Sequence, residues 1–265
     1  MCVKPVVFPG QYNPSPCGQC WQCRARKQSD WTVRLWHEYL VNEGKCAWTT
    51  LSYAPEYEQG TLCYNDIPDF MRRLRKLYPG KKIRYFASGE YGDLKLREHW
   101  HILLFGLSVD KNLEENIIRC WPYGSIDEVV VPDIGQIKYC AKYCVKKLTG
   151  KFFDEFYKQE KKLPELVRMS RRPGIGAVMR DNQLYINQWF KDGFVRILGK
   201  KYLIPRYYVT EERKEVYREI MKSKSSKRLE KVLYQELSAK KLREEDERNE
   251  QKYNEFKYLN GECLL

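Results

Sequence analysis

The 265-residue sequence predicts an α+β fold, an antiparallel sheet of about four or five strands covered by helices, with an N-terminal cysteine knuckle and a C-terminal helical extension. Three observations carry this. Apolar spacing along residues 46–147 runs strand, helix, strand, strand, helix, strand, helix, an order that suits a small antiparallel sheet with helices packed on it. The two central strand signals are joined by the short run Gly92-Asp93-Leu94-Lys95-Leu96-Arg97, which reads as a hairpin connection. An apolar content of 43% supplies enough side chains for one good core.

Taken in order, Cys17-Gly-Gln-Cys20-Trp-Gln-Cys23 forms the knuckle. A helix follows over about 30–40, where Trp31, Leu35, Trp36, Tyr39 and Leu40 recur at helical spacing and Gly44 provides the stop. Residues 46–53 read as a strand. A second helix spans about 68–78, with Asp66 near its start and Pro79-Gly80 as its end. After the hairpin come a helix over about 112–121, a β-branched strand over 125–131, and a tyrosine-bearing helix beyond Pro132. Residues 150–210 read as a mixed extension with turns at 172–174 and at Pro205. From Thr210 onward, dense mixed charge with Val216, Ile220, Leu229, Leu233 and Leu237 predicts one or two amphipathic helices. The expected division is 1–45 for knuckle and first helix, 46–150 for the core, 151–209 for its extension and 210–265 for the charged tail.

Net charge is +13, of which +11 lies outside residues 211–258, so the basic character belongs to the body and not to the tail. A basic body with 14% aromatic residues suits phosphate neutralisation combined with base stacking. An RNA or an acidic partner would fit basicity alone. No apolar run approaches the roughly 20 residues of a membrane span, and the first ten residues are too short and proline-broken for a signal peptide. A cytosolic protein without a membrane partner is expected.

Two of the three histidines, His99 and His101, flank Trp100 in a strand, and residues two apart project from one face. If the hairpin is centred between Leu94 and Lys95, Glu90 falls directly opposite His99 on that face, and two imidazoles and a carboxylate converge. An isolated His-x-His is more often a half-buried strand pair; the third ligand in register changes that balance. By ligand type alone, two histidines and one carboxylate also describe a non-haem iron oxygenase. The segment 139–147 then places Tyr139 and Tyr143 on one helix face, with Lys142 and Lys146 each three residues on. Tyrosines at this spacing also occur in core stripes, so the helix gains meaning only beside the metal ligands.

Together the His-hydrophobic-His strand, the upstream Glu90 and the doubled Tyr-x-x-Lys resemble the rolling-circle replication initiators, nucleases that nick DNA with a tyrosine. Ser88-Gly-Glu90-Tyr-Gly, His99-Trp-His101-Ile-Leu-Leu-Phe-Gly106, residues 139–147 and Met169-Ser-Arg-Arg-Pro-Gly-Ile-Gly176 look most like the initiators of gokushovirus-type microviruses, over about residues 2–208. The resemblance implies Mg²⁺ or Mn²⁺ on Glu90, His99 and His101, and attack by Tyr139 or Tyr143 aided by Lys142 and Lys146. It also implies origin DNA, duplex and single-stranded, as substrate, a host helicase and polymerase as partners, and action in the cytoplasm of an infected bacterium. Lys147, Arg171 and Arg172 are expected phosphate contacts, with an ordinary turn beside solvated arginines as the alternative.

Ten cysteines in a cytosolic chain are not a disulfide framework. Cys17, Cys20 and Cys23, at two-residue gaps, can offer three sulfurs to one ion; Cys2 is the expected fourth ligand of a structural Zn²⁺, with Cys46, Cys63 and His37 behind it. Reduced thiols in a compact turn weigh equally, and Cys120, Cys140 and Cys144 read as small fillers of helix faces. A non-catalytic zinc-knuckle protein that binds nucleic acid is therefore the alternative to the nuclease, and the metal-dependent oxygenase is the third.

Overall fold

A computed structural model describes residue 2 and residues 4–10, 14–92, 96–143, 157–158 and 161–236. Within them the chain forms two compact units. One comprises residues 35–175; the other combines residues up to 34 with those from 176 onward. Eight α-helices and a four-stranded antiparallel sheet lie among the described residues, the α+β class expected.

The sheet belongs to the 35–175 unit. Its strands β1 (Cys46–Ser52), β2 (Arg84–Tyr91), β3 (Glu98–Phe105) and β4 (Leu166–Met169) lie in the order β1-β3-β2-β4. β3 is thus central, buried along almost its whole length, and pairs residue by residue with both neighbours: Thr50 and Ser88 lie opposite His101, and Glu90 lies opposite His99. The hairpin register read from the sequence is the observed one. Gly92 closes the turn, donating its N–H to the Arg97 carbonyl at 2.9 Å.

Alternation along β3 divides its side chains between two faces. Trp100, Ile102 and Leu104 enter the main core with Phe70, Met71 and Leu74 of helix α2 (Asp66–Leu77) and Leu113 and Ile117 of α3 (Lys111–Cys120). The buried residues of α2 follow the i, i+3, i+4, i+7 spacing, with Asp66 and Asp69 in its first turn and Arg75 and Lys76 in its last, the polarity that suits a helix dipole. The Asp110 carboxylate caps α3 by accepting from the Leu113 N–H at 2.7 Å. Gly89 faces Trp100 so closely that a Cβ there would come within 2.9 Å of the indole, so only glycine lets the ring lie under β2. The other face carries Glu90, His99 and His101.

Two expectations are corrected. Residues 125–131 do not form a continuous strand. They run along β1 through two isolated antiparallel bridges, Leu51 to Ile126 and Trp48 to Val130. Three steps on β1 oppose four on this segment, so one residue is extra and the ladder breaks as in a bulge; the Asp127 carbonyl accepts from Thr49 Oγ1 at 2.7 Å. The fourth strand is instead β4, whose residues carried no alternation strong enough to be read. The first helix, α1 (Trp21–Val41), starts about nine residues earlier than expected, inside the cysteine segment. Polar residues at 22–28 masked the start, because several of them become buried: Arg24 and Arg26 are 9% and 8% exposed.

Helix α4 (Ile134–Tyr143) opens with a reciprocal cap. The Asp133 carboxylate accepts from the Gln136 N–H at 2.9 Å, and the Gln136 side chain accepts from the Asp133 N–H at 2.7 Å. Ile137, Cys140 and Ala141 are buried, and α4 packs on β2. Cys120 and Cys140 are indeed buried helix-face residues, whereas Cys144 lies outside the described residues.

In the second unit, α1's N-terminal part joins α5 (Ala177–Asp181), α6 (Gln183–Asp192), the hairpin of β5 (Val195–Ile197) and β6 (Lys200–Tyr202), and helices α7 (Lys214–Lys222) and α8 (Lys224–Glu236). Leu198 and Gly199, at φ 45° and 79°, form the tight hairpin turn. The buried Arg26 guanidinium donates to the Ile204 carbonyl at 2.6 Å and the Tyr217 hydroxyl at 2.8 Å, and pairs with Asp30 at 3.0 Å. The two amphipathic tail helices expected after Thr210 are α7 and α8, and through Tyr217 the first is tied into this unit; residues 237–265 lie outside the described residues.

Candidate metal centre and active site

Glu90 Oε1 lies 2.8 Å from His99 Nε2 and 2.9 Å from His101 Nε2, and the two imidazole nitrogens are 3.2 Å apart. Neighbouring ligands of one small divalent ion, each bound at about 2.1 Å, keep about this spacing. The donor set therefore fits a metal, and the three residues could hold one. Strand pleat explains the convergence: His99 and His101 are two apart on β3, and cross-strand pairing lays Glu90 of β2 beside them.

Tautomers are fixed from behind. His99 Nδ1 is 3.2 Å from the Arg97 carbonyl, which can only accept, so Nδ1 carries the proton and Nε2 presents its lone pair to the centre. His101 Nδ1 lies 3.1 Å from Thr50 Oγ1, and the ring is stacked at 6.1 Å on Trp48 of β1. Burial lowers the His101 pKa below the usual imidazole value, against the opposing pull of the Glu90 carboxylate. A neutral ring with an available lone pair results. Thr50 and Trp48 were not legible as site residues, because which strand lies beside β3 is a long-range pairing.

Tyr139, on α4, places its ring 5.1 Å from the His101 ring at a nearly perpendicular angle and is 41% exposed, open to a large substrate. The structure thus brings Glu90, His99, His101 and Tyr139 together. Lys142 is half-buried one turn further along α4. The Tyr143 side chain, Lys146 and Lys147 lie outside the described residues, and Arg171 and Arg172 are exposed on the turn after β4. Ser88, fully buried opposite His101, and the buried Glu165, which accepts from the Tyr157 hydroxyl, had no signal in the sequence.

A second group of potential ligands comprises Cys2, Cys17, Cys20 and Cys23, whose sulfurs all lie within 4.8 Å of one another. Cys2 is the fourth member; Cys46, Cys63 and His37 are not in the group. Among the described residues no helix is long and apolar enough to cross a membrane.

A family model for the replication-associated protein ORF2 matches residues 46–148, the span from β1 through α4. The chain is 28% identical to the replication-associated protein ORF2 of Spiroplasma virus 4, over 83% of this chain and 75% of that protein. It is 28% identical to the replication-associated protein ORF4 of Chlamydia phage 1, over 74% of this chain and 52% of that protein. Against the replication-associated protein VP4 of Bdellovibrio phage phiMH2K the identity is 29%, over 73% and 65%. No solved structure matches. The family match over the site-bearing sheet and the three phage proteins together support a microvirus replication initiator.

Proposed function

We propose that this chain initiates viral DNA replication by nicking the origin of the duplex replicative form, holding the 5′ end on a tyrosine, and later rejoining the displaced strand into a circle. The observation that carries this reading is the Tyr139 ring, 5.1 Å from the His101 ring, beside three converging ligand atoms. A phosphodiester resists attack because its oxygens are anionic, so cleavage needs that charge offset and a nucleophile held in line. Mg²⁺ or Mn²⁺ on Glu90, His99 and His101 would supply the first, drawing charge from a non-bridging phosphate oxygen.

Tyr139 supplies the second. Its oxygen bonds to phosphorus and gives up its proton, the bond from phosphorus to the 3′ oxygen breaks, and that oxygen takes up a proton and leaves as a free 3′-hydroxyl. Tyrosine has a pKa of about 10, and Lys142, three residues on, favours the phenolate or holds the phosphate. The phosphoester is exchanged and not hydrolysed, so the reverse attack by a 3′-hydroxyl reseals DNA without ATP. Tyr143 with Lys146 repeats the arrangement one turn on and serves the cut that ends a round. Lys147, Arg171 and Arg172 contact flanking phosphates. A host polymerase would extend the 3′-hydroxyl while a host helicase opens the duplex ahead.

The test is covalent capture. Full-length protein is incubated with magnesium and labelled single-stranded oligonucleotides tiling the cognate phage genome, and adducts are resolved on a denaturing gel. One origin oligonucleotide should be captured, with peptide mapping placing it on Tyr139 or Tyr143. Each single Tyr→Phe variant should retain some adduct and the double variant none. Attachment at any other residue, or undiminished adduct in the double variant, refutes the mechanism.

A further inference from the structure

We propose that Cys2, Cys17, Cys20 and Cys23 form a closed tetrathiolate site for one structural Zn²⁺, and that this ion holds the N-terminal arm in place. The site lies outside the nicking chemistry and does not rest on it.

Geometry is the first ground. Cys2 Sγ is 3.8 Å from Cys20 Sγ, and Cys17 Sγ is 4.0 Å from Cys23 Sγ. Sulfurs bound tetrahedrally at about 2.3 Å stand about 3.8 Å from one another. Disulfides are excluded, because an S–S bond is about 2.05 Å and all four cysteines are free. An iron–sulfur cluster holds its cysteines around a core of several atoms, which needs more room than a group spanning 4.8 Å offers. With four protein sulfurs no position remains open for water or substrate, so the site is structural.

Backbone donors aimed at the sulfurs are the second ground. The Cys17 N–H donates to Cys2 Sγ at 3.2 Å and the Cys20 N–H to Cys17 Sγ at 3.3 Å. Such bonds stabilise sulfur as thiolate and orient it toward a cation, the role that surrounding hydrogen bonds play at metal sites. On binding, each thiol releases its proton to solvent as its sulfur bonds the ion.

The third ground is what the arm lacks. Among the described residues from 4 to 20 none is buried, and Val6, Val7 and Phe8 are 41%, 67% and 51% exposed. The backbone contributes one antiparallel bridge, Val6 with Ser15, at 2.8 Å in both directions. Ordering a segment costs conformational entropy that burial normally offsets, and here there is none to do so. A metal joining residue 2 to the loop at 17–20 and to the first turn of α1 at Cys23 supplies the missing constraint.

The full chain, expressed without added metal, should contain about one zinc and no stoichiometric iron by elemental analysis. Exchange into Co²⁺ should give the intense visible bands of a tetrahedral thiolate site with sulfur-to-cobalt charge transfer. Strong chelation should lower the melting temperature, and zinc should restore it. Cys20→Ser should lose the zinc, while Cys63→Ser, outside the group, and His101→Ala, at the other centre, should keep it. Because Cys20→Ser can misfold, Cys20→His provides a second variant and should retain zinc with an altered cobalt spectrum. Folded zinc-free protein with four freely titrating thiols would overturn the proposal, as would iron with labile sulfide, or zinc lost from His101→Ala but kept in Cys20→Ser.

Discussion

Glu90, His99 and His101 stand on strands whose ladders and underlying core exist without them, whereas Cys2, Cys17 and Cys20 stand on an arm with no buried side chain of its own. In the sheet, geometry comes from the fold: pleat and register bring three ligand atoms within 3.2 Å, and any ion bound there would inherit that arrangement. In the arm the dependence runs the other way, and the ligands are what fold the segment. The chemistry of the donors matches this division. A carboxylate and two imidazoles leave positions open for a substrate, while four sulfurs leave none.

The largest test removes a ligand from the sheet. Glu90→Gln or His101→Ala should reduce nicking by at least about a thousandfold, equivalent to about 4 kcal/mol of transition-state stabilisation, because the neutralising charge is lost. Salt-sensitive DNA binding should persist, and the melting temperature should stay near that of the parent. A collapse in thermal stability would erase the contrast with the thiol site.

Next in size is Trp100→Ala, on the opposite face of the same strand. Trp100 is fully buried and donates its indole N–H to the Tyr53 hydroxyl at 3.0 Å, so the truncation should cost about 4 kcal/mol in urea unfolding. If the loss is below about 1 kcal/mol, the core does not support β3 as described.

His37 gives the sheet-bearing unit an acid sensitivity. It is buried on α1, and desolvation lowers its pKa from 6.5 to about 3. The folded chain therefore keeps it neutral where the unfolded chain protonates it, so stability is intact above about pH 6.5 and declines as pH falls toward 3. By pH 5 the decline should reach about 2 kcal/mol. His37→Gln should flatten that slope in urea titrations across pH; an unchanged slope would show that the imidazole is not the titrating group.

The smallest effect sharpens the site itself. Thr50→Val removes the hydroxyl 3.1 Å from His101 Nδ1 and should weaken metal activation of nicking about tenfold, raising the metal concentration for half-maximal rate while leaving the rate at saturation close to the parent's. A lower saturated rate at unchanged metal dependence would place Thr50 in the chemistry instead.

Within the sheet, what the sequence determined by itself was local. His99 and His101 share a face because strands alternate, and Glu90 joins them because a short hairpin fixes its own register; helices α2 and α3 declared themselves by apolar spacing and terminal charges. Cysteine spacing likewise marked Cys17, Cys20 and Cys23. Only the tertiary structure decided the rest. β1 lies beside β3 although some fifty residues separate them, which is what brings Thr50 and Trp48 to His101. β4 is taken from a segment without visible alternation, while residues 125–131, β-branched enough to read as a strand, are bulged off the ladder by one extra residue. The ring of Tyr139 reaches His101 because Ile137, Cys140 and Ala141 seat α4 on the sheet, and Cys2 joins the thiols across a loop of fifteen residues. The physical reason is common to these cases. Side-chain periodicity is set by neighbouring backbone geometry and is written in the residues themselves, whereas the pairing of distant segments depends on which packing of the whole chain buries the most apolar surface with its polar groups satisfied.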